Sequence, residues 1–393
     1  MREKFILILS PHYQWIILLD FVSWGINALH MPNFFIDPNI ARAKTIDTSF
    51  YLDPACLEKA KEQIFAPSWQ YIGHTGMVPN VGDAHPFRLL ENYIDEPLVI
   101  TKDTDGGVHC LSNVCTHRGN LMVYEPCTGL KHLRCKYHGR AFHLDGKFIS
   151  MPEFKEVENF IPENNHLHDL PLYQWGPLLF TQIKKGLGPE LFFKEMEARI
   201  GFLPIDKLVH DPSRTSDYYI KANWALYCEN YLEGFHIPFV HPGLNAFLDF
   251  KDYTTAIFKY SNLQIGASKS SEHCFDLPAG HVDAGKNIAA YYFWVFPNMM
   301  FNFYPWGLSL NIVTPIDAGN TKVTFLSFVY DASKLDTGAG AGLESVEQED
   351  EEVVEHVQQG IRSRFYHHGR YATKREQGTH HFHSLLAEFM NQS

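Results

Sequence analysis

Two short stretches of this chain set a cysteine close to a histidine, and a glycine follows each pair within two residues. The first is "CTHRGN" at 115–120, and the second is "CKYHGR", twenty residues later, at 135–140. Thiolate and neutral imidazole are both good ligands for iron and zinc. A zinc finger usually keeps two cysteines in one pair and two histidines in the other, whereas both pairs here are mixed. If all four residues bind one metal centre, the fold brings the two mixed loops face to face.

Two mixed pairs on facing loops can send both sulfurs to one iron and both imidazoles to a second. This is the Rieske 2Fe-2S arrangement. Glycines at 119 and 139 let the loops turn tightly beside such a cluster. A structural zinc site, or residues that never meet, are the alternatives. The predicted cluster ligands are Cys115, His117, Cys135 and His138.

Through "CTHRG" and "CKYHG" the chain resembles Rieske iron-sulfur proteins. Members of the oxygenase family often have Pro after the second cysteine and Trp two residues after the second histidine, where this chain has Lys136 and Arg140. These departures leave the ligands intact but change the surroundings of the cluster. Histidine ligation gives a potential between about −150 and +300 mV, so the cluster passes single electrons and an acceptor is needed.

A second group of metal-ligand residues lies in "NWALYCENYLEGFHIPFVHPG" at 223–243. Glu233 and His236 are three residues apart, on one face of a predicted helix. A straight helix would aim His241 elsewhere, but Pro238 ends or kinks the helix and lets His241 turn toward the same point. Two histidines and one carboxylate are the ligands of a non-haem Fe(II) centre. Ordinary core histidines near a proline are the alternative.

The third ligand is predicted on a helix within 344–365. Asp350 falls at the centre of the apolar stripe of this helix, and a buried carboxylate must be paired, protonated or bound to a metal. An Asp bonded to a helix end or an Arg is the alternative. The stripe consists of Leu343, Val346, Val353, Val354, Val357 and Ile361. The acids expected to face solvent are Glu349, Glu351, Glu352 and Glu355.

Together the two groups resemble the α subunit of Rieske non-haem iron oxygenases, which include ring-hydroxylating dioxygenases and amine-oxidising monooxygenases. The resemblance covers roughly 50–393 and includes "ENYLEGFHIPFVH", "EDEEVVEHVQQG" and "GRYATKREQGTHHFHSLLAEF". It implies one mononuclear iron on His236, His241 and Asp350. It also implies that Glu233 bridges His236 to the cluster ligand His138 of a neighbouring subunit. Choline- and carnitine-type oxygenases resemble this chain in having Glu at the bridge.

The same resemblance implies an α+β fold, with a Rieske β domain ahead of a helix-grip (START-like) catalytic domain built on an antiparallel sheet. We expect residues 1–30 to lie outside the core and 31–65 to form a helical part that packs on the catalytic domain. The Rieske domain is expected over 66–172 and the mononuclear-iron domain over 173–393. The family assembles as a head-to-tail homotrimer, which is the expectation here.

Composition narrows the possible partners and the cellular location. The net charge of −12 disfavours nucleic acids and anionic membranes. Pro11, His12, Gln14 and Asp20 interrupt the apolar N-terminal stretch, which makes a membrane anchor a weak prediction. Seven irregularly spaced cysteines argue against a secreted disulfide scaffold and favour the cytoplasm.

The predicted activity is hydroxylation of a small organic molecule with O2. Glu233 and an aromatic-rich stretch at 291–307 favour a quaternary amine such as carnitine, choline or betaine, since aromatic faces attract ammonium groups. An aromatic acid, taken by a ring-hydroxylating dioxygenase, is the alternative substrate. The pocket candidates are Trp294, Phe301, Phe303 and Trp306, although core strands also explain these aromatics.

The source of electrons is predicted to be a separate protein. "TGAGAGLES" at 337–345 lacks the full dinucleotide fingerprint, so no site for NADH or flavin is evident. A separate NAD(P)H-dependent reductase, or a ferredoxin, is therefore the expected donor. A Rieske electron carrier without catalytic iron is the alternative from another functional class.

Overall fold

The computed structural model describes residues 33–250 and 252–392, so the expectation for residues 1–30 lies outside the described residues. The first helices are Ser49–Leu52 (α1) and Pro54–Ala60 (α2), and α2 continues as a π-helical turn over Lys61–Phe65. The Asp53 side chain accepts a hydrogen bond from the N–H of Ala55, which caps the start of α2. A candidate membrane-spanning helix is absent from the part of the chain that the structure describes.

The N-terminal β part consists of short antiparallel strands. Two paired strands lie within 96–115, and Asp145 and Gly146 lie at the tip of a further hairpin. Two small sheets of this part have the strand orders β2-β3-β4-β8 and β5-β6-β7. The strands are Gln70–His74 (β1), Ala84–Leu89 (β2), Glu96–Lys102 (β3), Val108–Ser112 (β4), Leu133–Arg134 (β5), Ala141–Phe142 (β6), Phe148–Ser150 (β7), Asp169–Leu170 (β8), Leu172–Trp175 (β9) and Leu178–Thr181 (β10).

The C-terminal part is built on a seven-stranded antiparallel sheet of order β11-β17-β16-β15-β14-β13-β12. Its strands are Val209–Ile220 (β11), Thr254–Ile257 (β12), Ser261–Ala267 (β13), Ile288–Val295 (β14), Met299–Tyr304 (β15), Gly307–Asp317 (β16) and Asn320–Val329 (β17). Its helices are Glu190–Ile200 (α3), Trp224–Tyr231 (α4), Ile237–Val240 (α5), Pro242–Phe247 (α6), Leu343–Gly360 (α7) and Gln377–Met390 (α8). The helix expected within 344–365 is thereby confirmed.

The large sheet has a helix-covered face and a face that packs on another sheet. On the first face, the hydroxyl of Tyr231 in α4 donates to Asn302 Oδ1 at 2.9 Å. Asn302 lies opposite Tyr292 across the β14–β15 pair, so both side chains face the helices. On the other face, Phe301 packs against Phe180 of β10 with ring centroids 6.2 Å apart. The functional site lies on the helix-covered face.

A third small sheet joins the two parts of the chain. It has the order β1-β10-β9, and Gln70 of β1 is the register partner of Thr181 of β10. Strand β1 belongs to the segment predicted as the Rieske domain, whereas β10 belongs to the segment predicted as the catalytic domain. Backbone hydrogen bonds therefore cross the predicted boundary between residues 172 and 173.

Candidate metal centres

The two cysteine-histidine loops have the same backbone geometry. In each loop the cysteine N–H donates to the carbonyl five residues later, at 2.8 Å from both Cys115 and Cys135. The glycine N–H then donates back to the cysteine carbonyl, at 3.0 Å from Gly119 and 2.9 Å from Gly139. Both glycines have φ of +74°, a conformation that side chains with a Cβ rarely adopt. Each loop is thus shaped by its own residues.

The side chains of these loops converge as a two-iron cluster requires. Cys115 and Cys135 are each 2% exposed and belong to the apolar core of the β part. The rings of His117 and His138 meet edge to face with centroids 4.8 Å apart. Nδ1 of His138 is buried and has no hydrogen-bond partner among the described residues, as expected of an atom kept for a metal. The four residues therefore fit a 2Fe-2S cluster.

The surroundings of Cys135 favour its thiolate form, which is the form that binds iron. Burial alone would raise the pKa of this thiol. Hydrogen bonds from the backbone N–H groups of Tyr137 and His138 and from the side chains of Cys115 and Asn120 together outweigh burial and hold the pKa below its usual value. The Asn120 side chain donates to the Cys135 sulfur at 3.6 Å. Burial instead raises the pKa of the neighbouring Cys115 thiol.

Arg140, one of the two departures from the family motif, is buried beside the cluster loops. It is 2% exposed, and its Nη2 donates to Asn165 Oδ1 at 2.7 Å. Lys136, the other departure, is exposed and lies over the ring of Tyr124 at 4.7 Å. The aromatic rings within 6 Å of the Arg140 guanidinium belong to Phe142, Phe148, Phe154 and Phe160.

His236 and His241 converge, but not by the predicted route. Helix α4 ends at Tyr231, so Glu233 and His236 lie in the turn after the helix rather than on its face. Pro238 stands in the first turn of the short helix α5, where its missing N–H costs nothing, and His241 follows the end of α5. The prediction of one continuous helix broken at Pro238 was therefore wrong. The two imidazoles nevertheless meet with ring centroids 5.1 Å apart.

Asp350 of α7 completes a group of three possible metal ligands. Its Oδ1 lies 3.0 Å from Nε2 of His241 and 3.6 Å from Nε2 of His236. One ligand atom from each of the three residues lies within 4.8 Å of the other two. Two imidazoles and one carboxylate grouped in this way fit a mononuclear Fe(II) that keeps open positions.

Hydrogen bonds to the outer nitrogens fix both imidazoles. Nδ1 of His236 lies 2.7 Å from Glu233 Oε1, and Nδ1 of His241 lies 2.7 Å from Glu349 Oε2. Each Nε2 is thereby directed at the metal position. Asp350 in turn accepts a hydrogen bond from the Asn230 side chain at 2.5 Å.

Glu349 corrects the prediction for the polar face of α7. It was expected to face solvent, yet its carboxylate holds His241 while its side chain stays 39% exposed. Burial disfavours the charged imidazole, but the hydrogen bonds to Asp350 and Glu349 raise the pKa of His241. The two carboxylates thus stabilise positive charge at this position, as a metal site requires.

The prediction for Val357 also differs from the structure. This residue was assigned to the apolar stripe of α7, but its side chain is 42% exposed.

A cavity of about 110 Å³ opens beside the three candidate iron ligands. Its walls are mainly tyrosine rings and uncharged polar side chains, with Glu347 as a further acid. The tyrosines are Tyr227, Tyr231, Tyr253, Tyr292 and Tyr304, and the uncharged polar residues include Asn230, Gln264, Asn302, Ser309 and Asn311.

The four predicted pocket aromatics do not line this cavity. Phe301 and Phe303 point to the opposite face of the sheet, where Phe303 packs against Trp175. Side chains alternate along a strand, so Asn302 between them faces the cavity instead. The prediction identified the right strands but the wrong face for these two residues.

The two predicted tryptophans lie on the correct side of the sheet but behind the cavity wall. Trp294 packs against Phe382 of α8 with ring centroids 5.1 Å apart. Trp306 stacks on Tyr304, 5.5 Å between centroids, and Tyr304 itself forms the wall. Both tryptophans support the lining residues rather than contact a ligand.

Comparison with known proteins agrees with both metal centres. Residues 68–161 match the Rieske [2Fe-2S] domain, and residues 205–392 match the ring hydroxylating alpha subunit (catalytic domain). The chain is 31% identical to choline monooxygenase of Arabidopsis thaliana over 372 residues, which cover 89% of this chain and 84% of the relative. This chain belongs to the Rieske non-haem iron oxygenases. The family carries a 2Fe-2S cluster and a mononuclear iron, and this chain has a candidate set of ligands for each.

One further relative and two solved structures are also similar to this Rieske oxygenase. It is 28% identical to the carnitine monooxygenase oxygenase subunit of Escherichia coli K12, over 91% of this chain and 96% of that subunit. A quaternary ammonium Rieske monooxygenase solved with L-carnitine gives a TM-score of 0.70 at 23% identity, covering 90% of this chain and 97% of that one. Naphthalene 1,2-dioxygenase with bound indole gives 0.69 at 18% identity, covering 88% and 92%. These structures share the fold.

Proposed function

We propose that this chain is the terminal oxygenase of a multicomponent system that hydroxylates a quaternary amine of the choline, carnitine or betaine class. The observation that carries the proposal is the ring of tyrosines around the cavity beside His236, His241 and Asp350. Aromatic faces attract quaternary ammonium groups, most strongly where water is excluded. The similarity of this chain to choline monooxygenase and to the carnitine monooxygenase oxygenase subunit supports the same substrate class.

Each residue of the site has a distinct role in this proposal. His236, His241 and Asp350 hold the iron, which when bound supplies the redox chemistry that activates O2. Glu233 and Glu349 fix the orientation of the two imidazoles through their Nδ1 atoms. The tyrosine rings exclude water and hold the ammonium group, so that a carbon attached to nitrogen faces the three ligands. A hydroxyl group placed on that carbon leads to cleavage of the C–N bond, with release of an aldehyde, the amine and a proton.

Electrons are proposed to enter from outside the chain and to cross between subunits. A separate NAD(P)H-dependent reductase, or a ferredoxin, reduces the cluster on Cys115, His117, Cys135 and His138. In a head-to-tail homotrimer, Glu233 would then join His236 to His138 of the partner subunit. The Glu233 side chain is 14% exposed, so part of it lies at the surface, where a partner subunit could contact it. Work on a structurally similar quaternary ammonium monooxygenase describes inter-subunit electron transfer.

The domain boundaries at 65/66 and 172/173 and the cytoplasmic location stay predictions. Limited proteolysis followed by mass spectrometry would map the boundaries. Strand β1 of the first part pairs with β10 of the second part. We therefore expect the two fragments to stay associated after cleavage near residue 172.

A substrate panel tests the proposed function. The purified chain, with both metal centres loaded and a surrogate reductase present, is supplied in turn with choline, carnitine, betaine and aromatic acids. The expected result is substrate-dependent O2 uptake with at least one quaternary amine, together with stoichiometric formation of its oxidised product. Turnover of aromatic acids alone would overturn the proposal and favour the ring-hydroxylating alternative.

Metal analysis distinguishes the oxygenase from the electron-carrier alternative. An oxygenase holds a two-iron cluster and one further iron per chain, whereas a carrier holds the cluster alone. The iron content per chain is measured together with the low-temperature spectrum of the reduced cluster. These two measurements distinguish the oxygenase from the carrier. A protein with a full cluster and no additional iron after anaerobic loading with Fe(II) would favour the carrier.

A further inference from the structure

One acid of the cavity has no part in holding the iron or its ligands. Glu347 lies on α7 one turn before Asp350 and is 3% exposed. The hydroxyl of Tyr227 donates to its Oε2 at 2.5 Å. Its Oε1 is buried and has no hydrogen-bond partner among the described residues. The carboxyl group therefore borders the cavity with one oxygen unsatisfied.

A buried carboxyl group with an unsatisfied oxygen destabilises the protein unless a further group binds that oxygen. Burial raises the pKa of Glu347 to about 8, because a carboxylate without a counter-charge is unstable away from water. None of the described residues that line the cavity is Lys or Arg. The two histidines of the lining are held by Glu233, Glu349 and Asp350. No described residue of the lining can therefore serve as a positive partner for Glu347, and a cation that enters the cavity would supply one.

We infer that Glu347 is the counter-ion for the positive charge of the substrate, and that the cavity selects a cation without a carboxylate. This inference rests on the proposed function and narrows it to choline-like molecules, in preference to the zwitterions carnitine and betaine. An ammonium group held by the tyrosine rings would lie beside the free oxygen of Glu347. The cavity thus supplies both an aromatic and an anionic contact to the same group.

The charge balance of the cavity explains why a zwitterion is disfavoured. Three carboxyl groups line it, those of Glu233, Glu347 and Asp350, and a cation beside Glu347 favours the ionised form of this acid. One Fe(II) compensates two of these negative charges and leaves the third for the substrate cation. A carboxylate on the substrate would add a fourth negative charge and would find no Lys or Arg in the described lining to receive it. Repulsion between like charges in the site gives specificity against the wrong ligand.

Binding to the metal-loaded protein without O2 tests the inference independently of turnover. Dissociation constants are measured by calorimetry for choline and for 3,3-dimethylbutan-1-ol, which has the same shape without the charge. Carnitine and betaine complete the set. For the unaltered chain we expect choline to bind at least about tenfold more tightly than each of the other three, as one well-placed charge pair provides.

The decisive variant is Glu347→Gln, which keeps the size of the side chain and an oxygen for Tyr227 but removes the charge. We expect choline to bind about tenfold more weakly, while the neutral alcohol changes less than about twofold. Glu347→Asp retains the charge and should preserve the preference for choline over the alcohol. Glu352→Gln is the matched control, because Glu352 is an exposed acid of the same helix that does not line the cavity.

The outcomes separate this inference from the function on which it rests. If the unaltered chain binds choline but Glu347→Gln keeps the full preference over the neutral alcohol, Glu347 is not the counter-ion. Equal or tighter binding of carnitine or betaine overturns the selectivity while the quaternary-amine function stands. If no quaternary amine binds to the unaltered chain, the proposed function and this inference are both wrong.

Discussion

All four candidate cluster ligands lie within residues 115–138, whereas the candidate mononuclear site joins His241 to Asp350 across 109 positions of the chain. Each cluster loop closes on itself through two backbone hydrogen bonds and a glycine of positive φ. The iron ligands instead depend on side-chain bonds to Glu233 and Glu349, and on the packing of α7 beside α4. The difference implies that the first site is encoded locally and that the second depends on the tertiary fold.

The strongest test of this contrast removes one ligand of the distant pair. In Asp350→Ala, the mononuclear iron should be lost because two imidazoles alone do not complete the ligand set. Turnover should be abolished, while the cluster and its visible spectrum remain, because the cluster loops make their hydrogen bonds without α7. Iron content, absorption spectrum and O2 uptake are measured together. Loss of the cluster in this variant would show that the two sites fold as one unit.

Mixed assemblies test whether the two sites cooperate between subunits. Asp350→Ala retains the cluster, and Cys135→Ala retains the mononuclear site, so neither variant should turn over alone. Coexpressed chains that mix at random in a head-to-tail trimer should recover roughly a quarter of the normal activity, because only some contacts pair an intact cluster with an intact iron site. Activity assays of tagged, copurified mixtures measure this. Mixed trimers without activity would contradict transfer across the subunit contact.

A smaller effect is expected at the residue that would connect the two sites. Glu233→Ala should leave both metal centres filled and lower turnover by about 100-fold, the upper end for partners of metal ligands. Its removal frees Nδ1 of His236 and breaks the proposed path to the partner subunit. The rate at which a reduced cluster is reoxidised by O2 in the presence of substrate measures the step directly. Glu388→Ala, at an exposed position of α8, is the control. Unchanged reoxidation would remove Glu233 from the path.

The partner of the other imidazole should affect iron binding more than electron transfer. Glu349→Gln weakens the hydrogen bond that directs Nε2 of His241, so we expect about tenfold lower affinity for Fe(II). Competition with a chelator measures the affinity, and Glu352→Gln on the same helix is the matched control. An affinity equal to that of the control would show that the packing of α5 alone orients His241. In that case the second site would be more local than the contrast implies.

The same contrast explains what could be predicted from the sequence. The spacing of Cys115, His117, Cys135 and His138 predicted their convergence, because short loops determine their own geometry. The convergence of His236 and His241 was also predicted, although through a continuous helix that ends at Tyr231 in the structure. In the turn that follows, a Cβ on Gly234 would lie only 2.6 Å from the ring of Tyr253. This contact depends on a distant residue that local helical spacing does not reveal.

Two further differences between prediction and structure also arise because the local sequence pattern does not reveal tertiary packing. Glu349 and Asp350 are neighbours in the sequence, and only the placement of α7 decides that both face the histidines. Likewise, alternation along β15 separates Phe301 and Phe303 from Asn302 and Tyr304. It does not indicate which set faces the cavity, since both faces of this strand are buried. The sequence pattern therefore predicts local geometry well and the choice between two buried faces poorly.

The smallest effect concerns the glycines of the cluster loops, which have the same φ in different surroundings. A Cβ on Gly119 would meet nothing within 4 Å, whereas one on Gly139 would lie 3.3 Å from Pro152 Cγ. Each change to Ala should cost about 1 kcal/mol for the positive φ, and Gly139→Ala somewhat more because Pro152 must shift. Denaturant midpoints of the cluster-loaded variants measure the difference. If both loops are determined locally, Gly119→Ala must destabilise the protein even though it touches nothing. A Gly119→Ala variant as stable as the unaltered chain, beside a destabilised Gly139→Ala, would show that contact with the rest of the fold shapes these loops.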